Sequence, residues 1–380
     1  MHHGASLRLV GEWSGHGVDA RQIPAELTRL WRETSEQALA IGQPAAARTN
    51  VLTLLVIGRD LNNILAAAHT VGAMTEFHPS RSLFVHWQLD HHAPSLDVEV
   101  SASCRIDRPE VCHESVTLHA RAFNSKQLVS TLNLLLLRDL PTYLWWLPPL
   151  QLEDESLGDF VALCDGLLVD AATHRNNAGN LVALHHFVDL VRFGIADLAW
   201  VRIRGWREVI AGLCDERDVR SVIGSCTQVT IGWKRDVDEL PVEALYLLGW
   251  LGTALQWRTE QPLHRLRSSG SVECHAAART IQVSLEASDA EADIAVTHVT
   301  FATDAERSRV DMHLGLSNQV SVRVVHNGQA ARELTVSLRP VSDPEALSLQ
   351  LRQPGRDDIY HRTLEWLAPR YQTLTVMDLE

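Results

Sequence analysis

The hydrophobic positions follow two patterns along the chain, and the change between them lies past its middle. In the first part, continuous apolar runs at residues 51–57 and 82–87 alternate with amphipathic stretches of helical period. Runs without polar alternation are typical of strands buried on both faces of a parallel sheet. A strand, a helix and a second strand within about 40 residues also form a βαβ unit. The pattern therefore predicts an α/β domain with a largely parallel or mixed sheet.

The remaining elements of this first domain are predicted from the spacing of apolar residues and from the residues that favour turns. Residues 96–101 and 116–120 alternate between apolar and polar side chains around a turn-rich connection, which predicts a hairpin. Further strands and helices follow in alternation. The strands are predicted at 142–146 and 166–170, and the helices after Pro24 and at 60–74, 124–137, 179–193 and 205–215.

Past residue 270 the apolar positions alternate with polar ones instead. This period of two appears at residues 281–285, 310–316, 320–324 and 334–338. Asn327-Gly328 separates two of these runs, and this dipeptide is a strong short-range signal for a hairpin. Residues 241–257 are apolar on nearly all sides, as in a buried helix. With a final helix near 357–369, the pattern predicts an α+β domain with an antiparallel meander.

A chain of 380 residues has room for two domains. The change of pattern divides it into a loose polar tail at 1–23, an α/β domain at 24–230 and an α+β domain at 231–380, which contains the buried helix, the antiparallel sheet and the C-terminal helix.

Charge and composition exclude several classes of protein. The formal net charge of −13 argues against a nucleic-acid-binding protein, which would carry a concentrated basic face. No apolar run approaches the length of a membrane span, and the N-terminus has no apolar signal core. The six cysteines contain no Cys-x-x-Cys pair, so a cytoplasmic protein with reduced thiols is expected.

The sequence lacks the usual catalytic and cofactor motifs. It has no Gly-x-Gly-x-x-Gly after a strand, no Gly-x-Ser-x-Gly, no His-Glu-x-x-His and no Walker loop. Its only lysines, Lys126 and Lys234, lie outside any nucleotide-binding or Schiff-base motif. The 19 histidines show no spacing typical of a zinc site. We therefore expect a protein that is not an enzyme and has no cofactor or metal.

Two tryptophan-rich segments are the most distinctive feature of the chain. One is Asp139-Leu140-Pro141 with Leu144-Trp145-Trp146, and the other is Asp197-Leu198-Ala199-Trp200 with Trp206-Arg207-Glu208. Trp and Arg dominate the energetics of protein interfaces, but the same helical and strand spacing is typical of core anchors. If the segments bind a partner, the candidate residues are Trp145, Trp146, Trp200, Arg202, Trp206 and Arg207.

Two smaller motifs have both a functional and a structural interpretation. In His78-Pro79-Ser80-Arg81, the residues His78, Ser80 and Arg81 are candidates for binding an anion. Alternatively, Pro79 fixes a turn and Arg81 ties down a neighbouring carbonyl or acid. Cys104 and Cys112 flank the predicted hairpin turn, so they are either reversible redox thiols or small core residues.

With these segments together, the sequence resembles the OpcA family of glucose-6-phosphate dehydrogenase assembly proteins. The residues that carry the resemblance appear in the family's order. They are Ala47-Arg48-Thr49-Asn50-Val51-Leu52, His78-Pro79-Ser80-Arg81, the two tryptophan-rich segments and Gly249-Trp250-Leu251. Val201 stands where the family usually has Thr, and the cysteines match no redox pattern of the family.

The resemblance implies a non-catalytic assembly factor or allosteric activator. Such a protein binds glucose-6-phosphate dehydrogenase and favours its active oligomeric form in the oxidative pentose phosphate pathway. The alternative is an enzyme or sensor that binds a sugar phosphate through the loop from His78 to Arg81. The two differ in whether the chain itself binds a metabolite or a partner protein.

Overall fold

The computed structural model describes residues 7–40, 50–74, 78–105, 112–150, 155–173, 177–235, 240–263, 270–277, 279–290, 294–303, 307–329, 331–352 and 355–372. The strands are β1 (Leu7–Gly15), β2 (Leu52–Gly58), β3 (Ser80–Gln88), β4 (Ser95–Arg105), β5 (Cys112–Arg121), β6 (Thr142–Trp146), β7 (Gly166–Val169), β8 (Ile195–Asp197), β9 (Gln228–Lys234), β10 (Gly270–Ala276), β11 (Arg279–Ser288), β12 (Val296–Ala302), β13 (Arg309–Leu314), β14 (Gln319–Val325) and β15 (Arg332–Ser337).

The helices fill the intervals between these strands and the end of the chain. They are α1 (Ile23–Ala40), α2 (Leu61–Met74), α3 (Ser125–Leu132), α4 (Glu155–Val161), α5 (Asn177–Phe187), α6 (Leu198–Arg202), α7 (Arg204–Leu213), α8 (Arg217–Ser225), α9 (Val242–Ala254), α10 (Asp343–Arg352), α11 (Asp358–Leu367) and α12 (Pro369–Gln372).

The first sheet is a doubly wound α/β sheet with an antiparallel extension. Its order is β1-β4-β5-β3-β2-β6-β7-β8, and all neighbours from β5 to β8 are parallel. Numbered along the chain, these six parallel strands have the order 3-2-1-4-5-6 of dinucleotide-binding folds. Every residue of β2 and β6 is buried. The predicted α/β class is therefore confirmed.

Both faces of the central strands are covered, which explains why their apolar runs show no alternation. Helices α2 and α10 lie on one face, and Trp145 belongs to this side of the core. Trp146 points to the other face and packs against Phe160 of α4, with ring centroids 5.8 Å apart. Adjacent residues of a strand point to opposite faces, so both indoles become core residues once helices cover both sides.

The expectation of a loose tail at residues 1–23 is wrong for the described part of that stretch. Strand β1 pairs antiparallel with β4 along most of its length and forms the edge of the first sheet. A short helical turn at residues 20–22 then leads directly into α1. The sequence pattern does not predict this pairing because an edge strand needs few buried side chains. It is held by backbone hydrogen bonds, and these produce no alternation of apolar and polar residues.

The second sheet has one buried and one open face. Its order is β10-β11-β9-β12-β13-β14-β15, and most neighbours are antiparallel. The antiparallel pairing of the predicted strands β13, β14 and β15 is confirmed, and Asn327 and Gly328 have positive φ of 52° and 72° between the last two strands. The predicted run at 281–285, in β11, pairs with β10 and β9 instead, and β12, which was not predicted, precedes β13 in the meander. Strand β9 lies between β11 and β12 and pairs parallel with β11. The predicted domain boundary at 230/231 thus falls inside a strand of the second sheet.

Helices α9 and α11 connect the two sheets in the interior. Ten residues of α9 are buried, as expected for a helix that is apolar all round. Its close contact with α11 depends on two glycines. A Cβ at Gly249 would lie 2.7 Å from Leu367, and one at Gly252 would lie 2.5 Å from Trp366. Helix α10, from the end of the chain, returns to cover the first sheet beside α2.

Candidate functional site

The second tryptophan-rich segment lies at the junction of the two sheets. Strand β8 ends at Asp197, which caps α6 by accepting a hydrogen bond from the backbone N–H of Ala199 at 2.9 Å. The helical run then breaks at Ile203, whose φ and ψ are −82° and 1°. Gly205 lies inside α7, just after this break. A Cβ there would approach Leu338 at 3.1 Å, so this glycine serves close packing.

Asp197 is the central hydrogen-bond acceptor of this junction. It is fully buried, and its carboxylate accepts from the hydroxyls of Tyr246 on α9 at 2.5 Å and Tyr360 on α11 at 3.0 Å. It also accepts from the backbone N–H of Ala171 at 3.2 Å. Burial raises the pKa of Asp197 to about 6, although the hydrogen bonds from Tyr246, Ala171 and Ala199 oppose the shift. One carboxylate thus joins the end of the first sheet to two helices of the second domain.

Arg202 forms a saturated ion cluster on one side of this segment. Its guanidinium donates to both oxygens of Asp170, at 2.9 and 2.6 Å, and to Asp343 at 2.8 Å. Glu243 of α9 lies 3.9 Å away. Burial raises the pKa of Glu243 to about 7, and Arg202 lowers it only in part. The ion-pair partners of Arg202 among the described residues are all carboxylates of this chain, from three separate segments. Arg202 therefore holds the junction together.

Arg207 lies on the other side of the segment in a contrasting environment. Its Cζ is 3.6 Å from the centroid of the Trp200 ring, and its Nη2 donates a long hydrogen bond of 3.4 Å to the Trp200 carbonyl. Its Nε is buried and has no hydrogen-bond partner. Burial lowers the pKa of Arg207 to about 10, although Asp357 and Glu208 oppose the shift. No carboxylate of the described residues lies within ion-pair distance of it.

A cavity of about 620 Å³ opens beside Arg207. Its wall includes the aromatic side chains of Trp200 and Trp250, and two further arginines lie around it. Arg204 is paired with Glu208 at 2.6 Å, and Arg356 is paired with Asp189 at 2.7 Å. Each of these two arginines therefore has a carboxylate partner.

Asp357 lies in the same wall, but its oxygens are engaged elsewhere. One accepts from the Trp200 indole N–H at 2.9 Å, and the other accepts from the backbone N–H groups of Ile359 and Tyr360 at the start of α11. Among the described residues that line the cavity, Arg207 is thus a guanidinium without a carboxylate partner, and its neighbours Arg204 and Arg356 are paired. An anion could be hydrogen-bonded there by a planar guanidinium next to aromatic surface.

The four tryptophans named as partner-binding candidates all lie in the core. Their exposed fractions are 6% for Trp145 and 2% for Trp146 and Trp200, with 1% for Trp206. The indole N–H of Trp206 donates to the carbonyl of Val296 at 3.0 Å. The alternative interpretation, core anchors, therefore describes the placement of these four tryptophans. Arg207 lines the cavity beside Trp200, and it has no carboxylate partner among the described residues.

The motif from His78 to Arg81 is buried and satisfied by protein groups. Arg81 donates to Glu114 at 2.6 Å and to the carbonyl of Leu135 at 2.8 Å. The ring of His78 lies 3.1 Å from the hydroxyl of Ser348, and Ser80 lies 3.2 Å from the hydroxyl of Ser82.

Glu114, at the centre of this group, is fully buried and also accepts from Trp31 at 2.6 Å and Asn50 at 2.7 Å. The structural interpretation, in which Arg81 ties down an acid and a carbonyl, matches this geometry. An anion would have to displace Glu114 to reach the guanidinium.

Cys104 and Cys112 are register partners across the β4–β5 hairpin. Their side chains lie outside the described residues, so their interpretation as redox thiols stays a prediction. Among the described cysteines, burial raises the pKa of Cys226 to about 11 and of Cys274 to about 12, and it also raises the pKa of Cys164 and Cys214. Thiols shifted in this direction are poor nucleophiles near neutral pH.

The turn that holds the pyrophosphate in dinucleotide-binding folds has a different composition here. After β2 the chain runs Gly58-Arg59-Asp60 into α2, with a single glycine. A Cβ at Gly58 would lie 3.0 Å from Ile64 and 3.2 Å from Leu147, so side chains already fill this space. Asp60 accepts from the backbone N–H of Asn63 at 3.1 Å at the start of the helix. A carboxylate at this position would repel a phosphate.

Sequence reasoning missed the residues that complete the junction and the cavity. Tyr246, Tyr360, Glu243, Arg356 and Asp357 were not singled out. Two signals were available, because Asp357 precedes a helix in an N-cap position and Tyr246 brings a polar group into a helix that is otherwise apolar. In the described part of the chain, no cluster of three or more His, Cys, Asp or Glu side chains is arranged to hold a metal ion. No described helix has the length and apolar character of a membrane span.

Two family models match the chain in order. The model for the N-terminal domain of the glucose-6-phosphate dehydrogenase subunit matches residues 71–186, and the model for its C-terminal domain matches residues 193–364. A relative from Nostoc punctiforme, named OxPP cycle protein OpcA, is 25% identical over 71% of this chain and 60% of its own length. A second from Synechocystis, with the same name, is 28% identical over 43% of this chain and 34% of its own length. The chain thus spans less than two thirds of these relatives.

Solved structures with a similar arrangement include two oxidoreductases. One, from Sinorhizobium meliloti, has a TM-score of 0.48 and 9% identity, over 86% of this chain and 98% of that one. The other, an NAD-binding oxidoreductase from Klebsiella pneumoniae, has a TM-score of 0.47 and 10% identity, over 86% of this chain and 97% of that one. Neither likeness is close enough to support an inference about activity. The two domain models and the named relatives agree with the sequence motifs, and the chain belongs to the OpcA family.

Proposed function

We propose that this protein is a non-catalytic assembly factor that binds glucose-6-phosphate dehydrogenase in the cytoplasm and favours its active oligomeric form. The observation that carries the proposal is the match, in order, of both domain models named for a glucose-6-phosphate dehydrogenase subunit. The relatives' name also refers to the OxPP cycle, the pathway that this dehydrogenase opens.

The composition of the first βα turn argues against a dinucleotide-dependent dehydrogenase activity of this chain. A dehydrogenase of doubly wound topology holds its cofactor's pyrophosphate on backbone N–H groups at this turn. Here Gly58 is closely packed by Ile64 and Leu147, and Asp60 brings a negative charge to the start of α2. These side chains do not fit a dinucleotide, so we assign the chain a binding role rather than hydride transfer.

Activation by such a protein requires preferential binding. A partner that binds the active form more tightly than the inactive form shifts the population toward the active form. Each tenfold preference corresponds to about 1.4 kcal/mol in that equilibrium. The chain therefore needs a surface that binds the two forms with different affinity rather than a reactive group.

The alternative, a sugar-phosphate enzyme or sensor built on the motif from His78 to Arg81, has lost its main support. All three side chains are buried, and Arg81 is already paired with Glu114. The geometry of this motif therefore favours a structural role for it.

The test is a titration of the same organism's glucose-6-phosphate dehydrogenase with this protein at fixed substrate, with size-exclusion chromatography of the mixture. Saturable activation and co-elution support the proposal, and they should hold with thiols reduced or oxidised if Cys104 and Cys112 are not switches. A lack of both activation and complex formation in either redox state would overturn it.

Two charge reversals at exposed sites would locate the interface. Arg323→Glu changes the open polar face of the second sheet, and Arg21→Glu changes the turn before α1. Neither residue belongs to the core, so both variants should fold normally. A loss of binding in one variant alone assigns the contact to that domain.

A further inference from the structure

The partly buried guanidinium of Arg207 has few hydrogen-bond partners and no carboxylate partner among the described residues. An arginine has five N–H donors, and here one of them makes a long hydrogen bond to the Trp200 carbonyl. Its Nε is buried without a partner. Stacking on Trp200 compensates part of the charge, since the face of an indole ring attracts a cation. Most of the hydrogen-bonding capacity of this guanidinium is unused within the described part of the chain.

The carboxylates near the cavity cannot supply the missing partner as the side chains are placed. Glu208 is paired with Arg204, and Asp357 binds the Trp200 indole and the start of α11. Moving Asp357 toward Arg207 would uncap α11 and leave the indole N–H of Trp200 without its acceptor. An unpaired buried charge is costly, so a counterion from outside the chain would be bound favourably.

The size and lining of the cavity indicate the kind of molecule. A volume of about 620 Å³ lies within the range of small-molecule sites. Trp250 and Ile359 give it apolar surface, and Arg207 gives it a guanidinium that has no carboxylate partner among the described residues. This combination suits a compact metabolite with an oxyanion at one end and a flat or apolar body.

We propose that the cavity beside Trp200 is a binding site for a small metabolite whose phosphate or carboxylate is held by Arg207. The oxyanion would accept hydrogen bonds from the Arg207 guanidinium, and Arg204 and Arg356 would lie around it. The body of the molecule would lie against Trp250. The site is part of the free chain and does not depend on binding to the dehydrogenase.

The test is calorimetric titration of the full chain at low ionic strength with inorganic phosphate and, separately, with succinate. These probes distinguish a preference for phosphate from one for carboxylate. Sodium chloride at matched ionic strength controls for screening. The expected result is saturable binding of at least one probe, weakened at least tenfold in Arg207→Met.

Two further variants keep the test interpretable. Arg323→Met removes an exposed arginine on the second sheet and should bind the probe like the wild type. Arg207→Lys keeps the charge but loses the planar donors, so it should bind more weakly than the wild type. Circular dichroism verifies that all variants are folded.

The inference is overturned if neither probe binds saturably, if sodium chloride has the same effect, or if Arg207→Met binds as well as the wild type. It is also overturned if Arg207→Met binds the probe normally but no longer binds the dehydrogenase, because the cavity would then receive the partner. Loss of probe binding with normal dehydrogenase activation supports the inference and leaves the proposed function intact.

Discussion

Arg202 and Arg207 lie five positions apart on the same segment, yet their surroundings are opposite. Arg202 has three carboxylates around its guanidinium, at distances from 2.6 to 3.9 Å. Arg207 stacks on Trp200 at 3.6 Å and has no carboxylate partner among the described residues. The break at Ile203 turns the two helices so that one side of the segment faces the domain junction and the other faces the cavity. Similar residues in one motif can therefore have a structural role and a binding role.

The stability of the junction between the two sheets should depend strongly on Asp197, its central hydrogen-bond acceptor. We expect Asp197→Ala to lower the free energy of unfolding by about 3–5 kcal/mol, because buried donors from Tyr246 and Tyr360 lose their acceptor. Urea denaturation measures the change. Asp215→Ala, at an exposed position between α7 and α8, is the control and should stay within about 0.5 kcal/mol. A loss below about 1 kcal/mol for Asp197→Ala would show that α9 and α11 hold the sheets together without this carboxylate.

Removal of Arg202 should have the next largest effect. Arg202→Met leaves Asp170 and Glu243 without their cation in a largely buried site, so we expect a loss of about 2–4 kcal/mol. A double-mutant cycle with Glu243→Gln measures the coupling. If the changes in the free energy of unfolding of the two single variants are additive, Arg202 and Glu243 are not coupled. That result would contradict the contrast between Arg202 and Arg207.

The pH dependence of stability should reflect Glu243. Its pKa is about 7 in the folded protein and is raised from 4.5 by burial, so the folded state holds this proton more tightly than the unfolded state. Its contribution to stability is therefore complete at low pH and is lost as pH rises through about 7. Relative to Glu243→Gln, the wild type should lose about 1–3 kcal/mol between pH 5 and pH 8 in thermal or urea unfolding. Parallel profiles for the two proteins would contradict this assignment.

The cavity side should show the smallest effects on stability. Arg207→Met should change the free energy of unfolding by no more than about 1 kcal/mol, because the lost stacking on Trp200 is offset by removal of an unpaired charge. Arg204→Ala removes an exposed pair with Glu208 and should cost about 0.3–0.5 kcal/mol. A loss for Arg207→Met as large as that for Arg202→Met would show that both arginines are structural.

Much of the secondary structure could be predicted from the sequence because burial imposes a local period. The continuous run of β2 indicated a strand covered on both faces, and the alternation in β13 and β14 indicated a sheet with one open face. The positive φ of Asn327 and Gly328 follows from residues that tolerate that conformation. Edge strand β1 and the insertion of β9 between β11 and β12 were not predictable, since pairing order leaves no mark on a single strand.

The candidate site was only partly predictable. The sequence by itself determined the residue types of the segment from Asp197 to Glu208, their helical spacing and the absence of a glycine-rich phosphate loop. The tertiary structure decided that its tryptophans are core and that Arg202 is neutralised. It also placed Arg207 at the wall of a cavity. The physical reason is that burial and ion pairing depend on residues such as Asp170, Glu243 and Asp357, which come from distant positions and meet only when the two domains pack together.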